Sequence, residues 1–562
     1  MEKTNDIIWK IETITRNEMF GERASNLAIS AAYQFLCERN LIHYQNNDLL
    51  KIAEEMNGRV SQETIGKIFE LFETIGNEGI KEYIYEVLSG KSNTDKSYIE
   101  NANNNLCELA YNLLEIDGSG HSVLDLGSGT GNFLANVYKK SRENEFVLKD
   151  LVGIELNLEH AQISNMALNI LSDGSVSPII FAGNALEIVN YPYTRAYVFP
   201  PLGMKKLLGE STKKSNIFRD LYFSNKNTGE WLFIDSMLGG LLGDRAVALV
   251  TGKALFNDAD LEYRKRLLKS GRIEGIIELP SGSLSFTGIK VFMVVFSKDN
   301  KEVRFIDASN VATAENKRYM NFDLPVKTVT GMYYSKDAKT KPITELINAT
   351  NLMPSTVMVD VKKLDNGVQL KDVSEIFIGN QYTLGIFESK GMLTDKKTGY
   401  KILTSSDIED GIVNWEGLQS IDYQDDKFDK FAIKYGDVVI TSKSSKVKTV
   451  VIDIEPVEKI LVTGGMIIVR PDLKKLNSTY LKMFLDSKDG QNALKRVQKG
   501  SYIVTINASS LGTVEVPLID LAEQEVKANK YNSKLSSLVA YKKEIKRIEN
   551  SLENLFLDEE ED

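Results

Sequence analysis

The spacing of hydrophobic positions separates the chain into regions of different predicted structure. Residues 1–95 place apolar side chains three and four positions apart, for example at 24–39 and 65–72, which predicts a helical N-terminal domain. Between 96 and 325, short apolar runs alternate with amphipathic stretches. This alternation predicts a second domain with a mostly parallel sheet that helices cover on both faces.

Individual elements of the second domain can be predicted from the same pattern. Strands are predicted at residues 122–126, 151–155, 179–181, 196–199, 245–250, 275–279 and 291–297, and helices at 131–140, 159–171, 231–242 and 260–268. No helical pattern separates the last two strands. We therefore expect them to form an antiparallel hairpin at the edge of the sheet.

The second half of the chain has a different pattern of hydrophobic and polar residues. Residues 326–365 are polar with weak periodicity, and we expect a connecting segment with some helix there. Residues 366–525 alternate short strands with turns around one helix at 478–485, which predicts a compact α+β module. Overall the chain is predicted to be a multidomain α/β protein.

Residues 526–562 predict a long helix followed by an acidic tail. Two seams repeat every seven residues, and they consist of Tyr531, Leu538, Ile545 and Leu552, and of Lys534, Tyr541, Ile548 and Leu555. Such heptads are typical of a coiled coil between chains or domains. The alternative is one amphipathic helix that packs on its own domain.

Composition narrows the class of protein. The 562 residues carry a net charge of −10, and 42% of them are hydrophobic. An acidic chain is a poor non-specific binder of nucleic acid, although a local basic groove remains compatible with it. No apolar run is long enough to span a bilayer and the N-terminus has no apolar signal core, which predicts a cytoplasmic protein. Two cysteines, Cys37 and Cys107, and three histidines predict neither a disulfide framework nor a metal site.

A glycine-rich loop follows the first predicted strand and opens a helix. It reads Asp125-Leu126-Gly127-Ser128-Gly129-Thr130-Gly131, and its G-x-G-x-G spacing after an aspartate favours S-adenosylmethionine over a nicotinamide cofactor. Glu155 ends the next strand, where a carboxylate would accept protons from ribose hydroxyls. Asn184 follows the third strand and is placed for the adenine amine. The alternatives are a tight turn at the glycines and a helix cap at Glu155.

The fourth strand runs into Val198-Phe199-Pro200-Pro201-Leu202. Enzymes that methylate an exocyclic amine present Asn or Asp before such a proline pair and an aromatic ring after it, so that the amide or carboxylate holds the amine and the ring stacks on a flipped base. Phe199 cannot accept a hydrogen bond, so transition-state stabilisation should fall sharply. The segment also fits a simple strand end and turn. Several basic residues follow, which fit either a phosphate track or a solvated surface.

These motifs together resemble the DNA-methylation subunit of type I restriction–modification systems, an adenine-N6 methyltransferase family. The resemblance covers about residues 1–320 and includes VLDLGSGTGNF, GIEL, GNAL, the proline pair, GEWLFIDSMLGGLLGDRAVALVTGKALF and YRKRLLKSGRIEGIIELPSGSLSFTGIKVFMVVFSK. The remainder resembles half of a specificity subunit, through LKDVSEIFIGNQY, KYGDVVITS, GSYIVTINASSLGTVEVPLIDLAEQE and the final helix. The chain departs from the family at Phe199, Leu202 and Asn184, and in the segment before the glycine loop.

The resemblance implies S-adenosylmethionine as cofactor and double-stranded DNA as partner. Its single target-recognition domain would use loops near Tyr382, and DNA contacts at Lys443, Lys446, Lys499 and Tyr502. The C-terminal spacer helix would pair with a second copy or with a related specificity or methylation subunit, and a nuclease partner would complete a bacterial defence complex. Three functions remain open: an adenine-N6 DNA methyltransferase, a non-catalytic recognition or assembly module, and a methyltransferase for another nitrogen or for RNA.

Overall fold

The computed structural model describes residues 2–19, 22–89, 103–187, 193–202, 211–240, 245–284, 287–311, 313–314, 322–380, 382–422, 426–443, 447–500 and 504–554. The chain divides into two compact units, Met1–Met358 and Val359–Asp562. In the part of the chain thus described, no helix has the length and apolar character required to cross a membrane.

Five helices open the first unit, in agreement with the predicted helical pattern. They are α1 (Glu2–Thr15), α2 (Glu22–Glu38), α3 (Asn47–Asn57), α4 (Gln62–Leu88) and α5 (Asn104–Leu113). Helix α4 is interrupted at Gly76, where φ is +67°. Asn46 and Ser61 begin α3 and α4 by accepting hydrogen bonds from backbone N–H groups of the first turn.

Strands and helices then alternate to the end of the unit. The strands are β1 (Ser122–Leu126), β2 (Asp150–Glu155), β3 (Ser177–Ala182), β4 (Arg195–Val198), β5 (Lys213–Lys214), β6 (Tyr222–Phe223), β7 (Arg245–Thr251), β8 (Ile273–Glu278), β9 (Val291–Phe296), β10 (Glu302–Asp307), β11 (Thr313–Ala314), β12 (Phe322–Asp323) and β13 (Lys339–Pro342). The helices are α6 (Asn132–Glu143), α7 (Leu158–Ser172), α8 (Gly229–Gly240), α9 (Gly252–Phe256), α10 (Leu261–Lys269), α11 (Val326–Tyr334), α12 (Ile343–Leu346) and α13 (Pro354–Val357).

Nine of these strands form one sheet in the order β13-β10-β8-β9-β7-β4-β1-β2-β3. Strands β3, β2, β1, β4 and β7 are mutually parallel, so their carboxyl ends lie along one edge. The glycine loop follows β1 and the Phe199 segment follows β4, and these two strands are neighbours. The topology therefore brings the two candidate loops side by side.

Helices cover both faces of this sheet, as predicted. One face packs against α5, α6, α7 and α11 together with the N-terminal helices. The opposite face packs against α8, α9, α10, α12 and α13. The predicted N-terminal domain thus shares a hydrophobic core with the sheet and belongs to the same compact unit.

Two sequence predictions about this unit need correction. Strands β8 and β9 are antiparallel as expected, but β9 lies between β7 and β8, and the sheet continues through β10 and β13. The pair is therefore central, which agrees with the complete burial of all six residues of β9. The segment at 326–365 contains helix as expected, but it also contributes the edge strand β13, whose lysines and threonine suit a half-exposed edge.

The second unit is an α+β module, as its texture predicted. Its strands are β14 (Gly367–Gln369), β15 (Ser374–Ile378), β16 (Leu393–Thr394), β17 (Tyr400–Leu403), β18 (Ile408–Glu409), β19 (Ile412–Val413), β20 (Gln419–Ile421), β21 (Val438–Thr441), β22 (Thr449–Val451), β23 (Lys459–Val462), β24 (Met466–Pro471) and β25 (Glu515–Pro517). Two four-stranded sheets have the orders β15-β24-β21-β22 and β16-β20-β17-β23. The helices are α14 (Leu384–Ser389), α15 (Ser478–Asp486), α16 (Lys488–Val497), α17 (Ala508–Gly512) and α18 (Leu521–Asn554).

Helix α18 has two parts with different surroundings. Its first turns dock on the module, where Gln524 and Ala528 are buried and Gln524 caps the start of α15 through Asn477. Further along, the apolar side chains of Leu538, Tyr541, Ile545, Ile548 and Leu552 are between 49% and 71% exposed. The first part therefore fits the alternative of a helix that packs on its own domain, whereas the coiled coil stays a prediction for the exposed part.

Candidate functional site

The glycine loop continues directly from a strand that is buried along its whole length. Strand β1 pairs with β2 and β4 on its two sides, so the chain leaves the sheet at a fixed point after Leu126. The backbone N–H groups of Gly127 and Ser128 both donate to the carbonyl of Ile154, at 2.8 and 3.0 Å. These bonds fold the loop back over the end of β2.

Glycine is required at the last position of this loop. Gly131 has φ of +94° and forms the N-cap of α6. A Cβ atom there would lie 2.5 Å from the hydroxyl oxygen of Ser164 on α7, which is closer than non-bonded atoms can approach. The glycine at position 131 of the motif thus has a packing reason in addition to any role in ligand binding.

Glu155 lies beside the loop, at the end of β2. Its Oε2 accepts the backbone N–H of Gly129 at 2.9 Å, and its Oε1 accepts the N–H of Asn157 at 2.8 Å. Each carboxylate oxygen has a second lone pair that these bonds leave available for a hydroxyl group. The acid is therefore both a brace for the loop and a candidate acceptor for a ribose.

A second carboxylate, that of Asp125, lies inside the protein below the loop. Burial raises its pKa well above the ordinary value, and the nearby charge of Glu155 raises it further. The ring of Tyr197 stacks on Phe133 with 4.1 Å between centroids, and its buried hydroxyl has no hydrogen-bond partner among the described residues. Burial likewise raises the pKa of the Tyr197 hydroxyl. Asp125 and the hydroxyl of Tyr197 are thus polar groups buried below the glycine loop, in otherwise apolar surroundings.

Two predicted cofactor residues have different surroundings from those expected. The hydroxyl of Ser128 is buried against Gly153, 2.7 Å from where a Cβ on that glycine would stand, so only the backbone of Ser128 can meet a ligand. Asn184 is exposed, and its Oδ1 accepts the N–H of Leu186 at 3.0 Å. Its backbone position is close to the site because Gly183 donates to the carbonyl of Glu155 at 2.8 Å.

The Phe199 segment occupies the mouth of the site. A Cβ on Gly127 would lie 4.0 Å from the carbonyl oxygen of Phe199, so the two loops are in direct proximity. Phe199 and Leu202 are half-buried and pack against the core on the sheet face that carries the N-terminal helices. Pro200 is buried and Pro201 is exposed. Neither half-buried side chain offers an acceptor to an amine.

The basic residues beyond this segment do not act as one group. Lys213 donates to the backbone carbonyl of Leu186, and partial burial lowers its pKa. Lys214 and Arg219 are exposed. Lys213 therefore tethers the chain near the third strand, and the two exposed residues remain compatible with a solvated surface.

Two exposed apolar residues beside the site were not singled out from the sequence. Leu156 follows Glu155 directly and is 76% exposed, and Phe181 near the end of β3 is 44% exposed. Phe181 belongs to an apolar strand and Leu156 follows one, so the hydrophobic pattern does not distinguish them from core residues. Their exposure at the carboxyl edge of adjacent strands makes them candidates to contact a flat ring.

In the second unit, predicted DNA-contacting loops converge at one end of the sheets. Thr505 forms isolated bridges with both Lys443 and Lys499, and Lys499 and Thr505 exchange backbone hydrogen bonds of 2.8 and 2.7 Å. The N–H of Ile506 donates to the carbonyl of Ser442 at 2.8 Å. Lys446 and Tyr502 lie outside the described residues.

The neighbouring loop near Tyr382 belongs to the same end. Asn380 pairs with Thr463, and Ser442 donates to the carbonyl of Gly465 in the following turn. The ring of Tyr382 carries the ammonium group of Lys390 at 4.2 Å from its centroid. The described residues of these loops, 379–380, 382, 442–443, 463–465, 499–500 and 504–505, therefore form one rim, which we call the loop rim.

Comparison with known proteins identifies the first unit. The family model "N-6 DNA Methylase" matches residues 102–353. This part of the chain is an N-6 DNA methylase domain. It contains the glycine loop, Glu155 and the Phe199 segment, so the methylase match coincides with the site described above.

The methylase domain also has structural relatives. The methyltransferase subunit of a type I restriction–modification system from Streptococcus thermophilus superposes with a TM-score of 0.50 at 16% identity, over 62% of this chain and 98% of that chain. A modification subunit of a type I restriction enzyme from Vibrio vulnificus has a TM-score of 0.46 at 14% identity, over 61% of this chain and 93% of that chain. The type IIG restriction endonuclease BpuSI has a TM-score of 0.43 at 11% identity, over 94% of this chain and 74% of that chain. At such identities the first likeness establishes a type I methyltransferase-like fold.

Proposed function

We propose that this protein recognises specific DNA sequences through its second unit, keeps an S-adenosylmethionine site in its methylase domain, and does not methylate adenine N6. The observation that carries this proposal is the Phe199-Pro200-Pro201-Leu202 segment beside the glycine loop. Both half-buried side chains of that segment are apolar and pack inward. An exocyclic amine that reached this mouth would meet no side-chain acceptor from Phe199 or Leu202.

Cofactor binding is supported by the chemistry of the residues that surround the glycine loop. Glu155 would accept hydroxyl protons of the ribose, and Leu156 and Phe181 would contact the adenine ring. The carboxylate of Glu155 would favour the positive charge of the sulfonium cofactor. Bound S-adenosylmethionine supplies an electrophilic methyl group. In this chain the groups that would orient an accepting amine have been replaced, so binding without transfer is the expected state.

DNA recognition is supported by the loop rim. Lys443 and Lys499 each form a β-bridge with Thr505. The two cationic side chains are therefore attached to neighbouring backbone segments. Lysines of this kind contact phosphates and fix the register of a protein on a duplex, whereas base contacts provide the sequence preference. We propose that the rim faces DNA, with Lys446 and Tyr502 contributing from its undescribed parts.

Assembly is supported by the second part of α18. The exposed side chains Leu538, Tyr541, Ile545, Ile548 and Leu552 are spaced alternately three and four residues apart, which is the a/d pattern of a coiled coil. Tyr531, expected in this seam, instead donates to Asp486 of its own module at 2.5 Å. We propose that the seam pairs with the same seam of a second copy, which would place two recognition modules on one DNA molecule.

An active methyltransferase is the second candidate, and the intact glycine loop with Glu155 favours it. The two candidates differ in what restoring the missing groups should do. In the first, Phe199→Asn combined with Leu202→Tyr provides an acceptor and a stacking ring, and methyl transfer to bound DNA should rise at least tenfold above background. In the second, the wild type already turns over and the same change should lower its rate.

The test uses the full chain, DNA selected from a random duplex pool by binding, and S-adenosylmethionine with a labelled methyl group. The matched control is Phe199→Leu with Leu202→Met, which retains apolar side chains and should stay at background. If both double variants and the wild type bind DNA tightly and the Asn/Tyr variant gains nothing, the Phe199 segment is not what prevents transfer.

A further inference from the structure

A buried lysine connects four elements of the second unit at one point. Lys482 on α15 is 3% exposed, and its ammonium group bonds to the Asp486 carboxylate at 2.5 Å and to the carbonyl of Thr449 at 3.1 Å. The hydroxyl of Thr449 donates to the same carboxylate, and so does the hydroxyl of Tyr531 on α18, at 2.5 Å. We call this group the lysine hub.

The turn between β18 and β19 packs against the lysine hub. A Cβ atom on Gly411 would lie 2.8 Å from Nζ of Lys482, so the backbone of the turn rests directly on the ammonium group. Gly411 has φ of +79°, and Asp410 before it has φ of +49°, which is unusual for a residue other than glycine. The turn therefore adopts a conformation that its sequence disfavours, in contact with the hub.

The same turn also contacts α18 directly. The carboxylate of Asp410 forms an ion pair with the ammonium group of Lys542. Tyr531 and Lys542 are about 16 Å apart along the helix at the usual rise per residue. One anchor allows a helix to pivot, whereas two anchors at this separation define its direction.

Surface ion pairs contribute little to folding free energy, and Lys542 and Asp410 are 48% and 32% exposed. A buried ammonium group is also an expensive way to hold helices together compared with apolar packing. Stability is thus a poor explanation for this arrangement. Directional bonds to two points of α18, from Asp486 of the hub to Tyr531 and from Asp410 of the turn to Lys542, are a better means of fixing an angle.

We propose that Lys482, Asp410 and Lys542 are positioning residues that fix the direction of α18 relative to the recognition module and thereby set the spacing between two DNA half-sites. The second part of this statement rests on the proposed function, because it requires that two chains pair through α18. A tilt of about 10° at the hub would move the end of the helix by roughly 6 Å over its remaining length. Since base pairs rise about 3.4 Å each, this equals nearly two base pairs.

The first measurement reads the angle within one chain. Nitroxide labels at Lys397→Cys on the module and Asn550→Cys on α18 report their distance by electron double resonance, with excess unlabelled chain so that only intrachain pairs contribute. The native thiols of Cys37 and Cys107 are buried and burial raises the pKa of each, so they react slowly with the label.

Asp410→Asn and Tyr531→Phe should each at least double the width of the distance distribution, and Lys482→Met should broaden it further if that variant folds. Lys543→Gln, an exposed lysine one residue from Lys542, is the matched control and should leave the width unchanged. Exchanging the pair, Asp410→Lys with Lys542→Asp, should restore most of the narrow distribution. Unchanged widths in both Asp410→Asn and Tyr531→Phe would overturn the positioning role.

The second measurement reads the consequence on DNA. A duplex pool with two half-sites at variable separation should return one dominant spacing for the wild type and several for Asp410→Asn. If the distances broaden while one spacing is still selected, the anchors fix the helix but do not set the half-site spacing. If no DNA binds, the proposed function fails, whereas the intrachain distances still decide the positioning role.

Discussion

At the scale of single residues, the site separates groups that brace the loop from groups that can meet a ligand. The motif could be predicted from the order of strand, glycine loop and acid, because each is a local pattern. The individual roles could not, since the burial of Ser128 against Gly153 and the exposure of Leu156 depend on which strands become neighbours. Those contacts arise from residues far apart in the chain.

Glu155 provides the clearest residue-scale prediction. Gln at this position has one acceptor oxygen in place of two, so it cannot receive both Gly129 and Asn157 and also a ribose. Hydrogen bonds to charged groups contribute about 1.5–3 kcal/mol each, so Glu155→Gln should weaken S-adenosylmethionine binding at least tenfold in calorimetry. Glu159→Gln, a half-buried acid in the first turn of α7 that pairs with Arg59 instead, should bind normally. Equal affinities for both variants would remove Glu155 from the cofactor site.

Gly131 tests the packing reason for the glycine motif. Gly131→Ala places a Cβ against Ser164 and forces a side chain into left-handed backbone, so we expect about 2 kcal/mol of destabilisation. Ser164→Gly should recover part of this loss in a double-mutant cycle. Gly183→Ala is the control, because its Cβ would have no neighbour within 4 Å. Denaturant unfolding measures the free energy of unfolding of Gly131→Ala, of its double variant with Ser164→Gly, and of Gly183→Ala. If Gly131→Ala is as stable as the wild type and Ser164→Gly adds no stability to it, the packing argument is wrong.

At the scale of elements, the alternation of strands and helices predicted most of the sheet. This alternation did not predict two features of the sheet. Strand β9 joins between β7 and β8, and β13 joins the edge after a helix, and both depend on long-range pairing that hydrophobic period cannot reveal. The heptad pattern also predicts two seams that begin at Tyr531 and Lys534, although Tyr531 bonds to the module and the apolar members are exposed only from Leu538 onward.

The exposed seam of α18 predicts self-association. Ile545→Glu with Ile548→Glu introduces charge at consecutive a/d positions, and a coiled coil cannot bury these side chains without a large desolvation cost. Sedimentation should therefore show a monomer where the wild type is a dimer. Ser536→Glu with Asn550→Glu adds the same charge on the outward face and should remain dimeric. A wild type that stays monomeric at tens of micromolar would refute pairing through this seam.

At the scale of the whole molecule, DNA binding must occur against a net charge of −10. Attraction has to come from local cations, so few phosphate contacts should dominate the salt dependence. Lys443→Gln with Lys499→Gln should reduce the slope of log affinity against log salt by about two, and weaken binding of all sequences similarly. Lys474→Gln with Lys475→Gln, beyond the opposite end of β24, is the control. An unchanged slope in the rim variant would move the DNA interface elsewhere.

We propose a protein that recognises DNA with its second unit and has lost methyl transfer in its methylase domain. The methylase fold and the glycine loop persist, while the mouth of the site holds Phe199 and Leu202. The most direct test is the number of labelled methyl groups that the wild-type chain transfers to DNA it has itself selected, in saturating S-adenosylmethionine over many hours. We predict fewer than about one per hundred bound sites, with tight DNA binding throughout. Stoichiometric methylation of adenine N6 in that DNA would contradict the account.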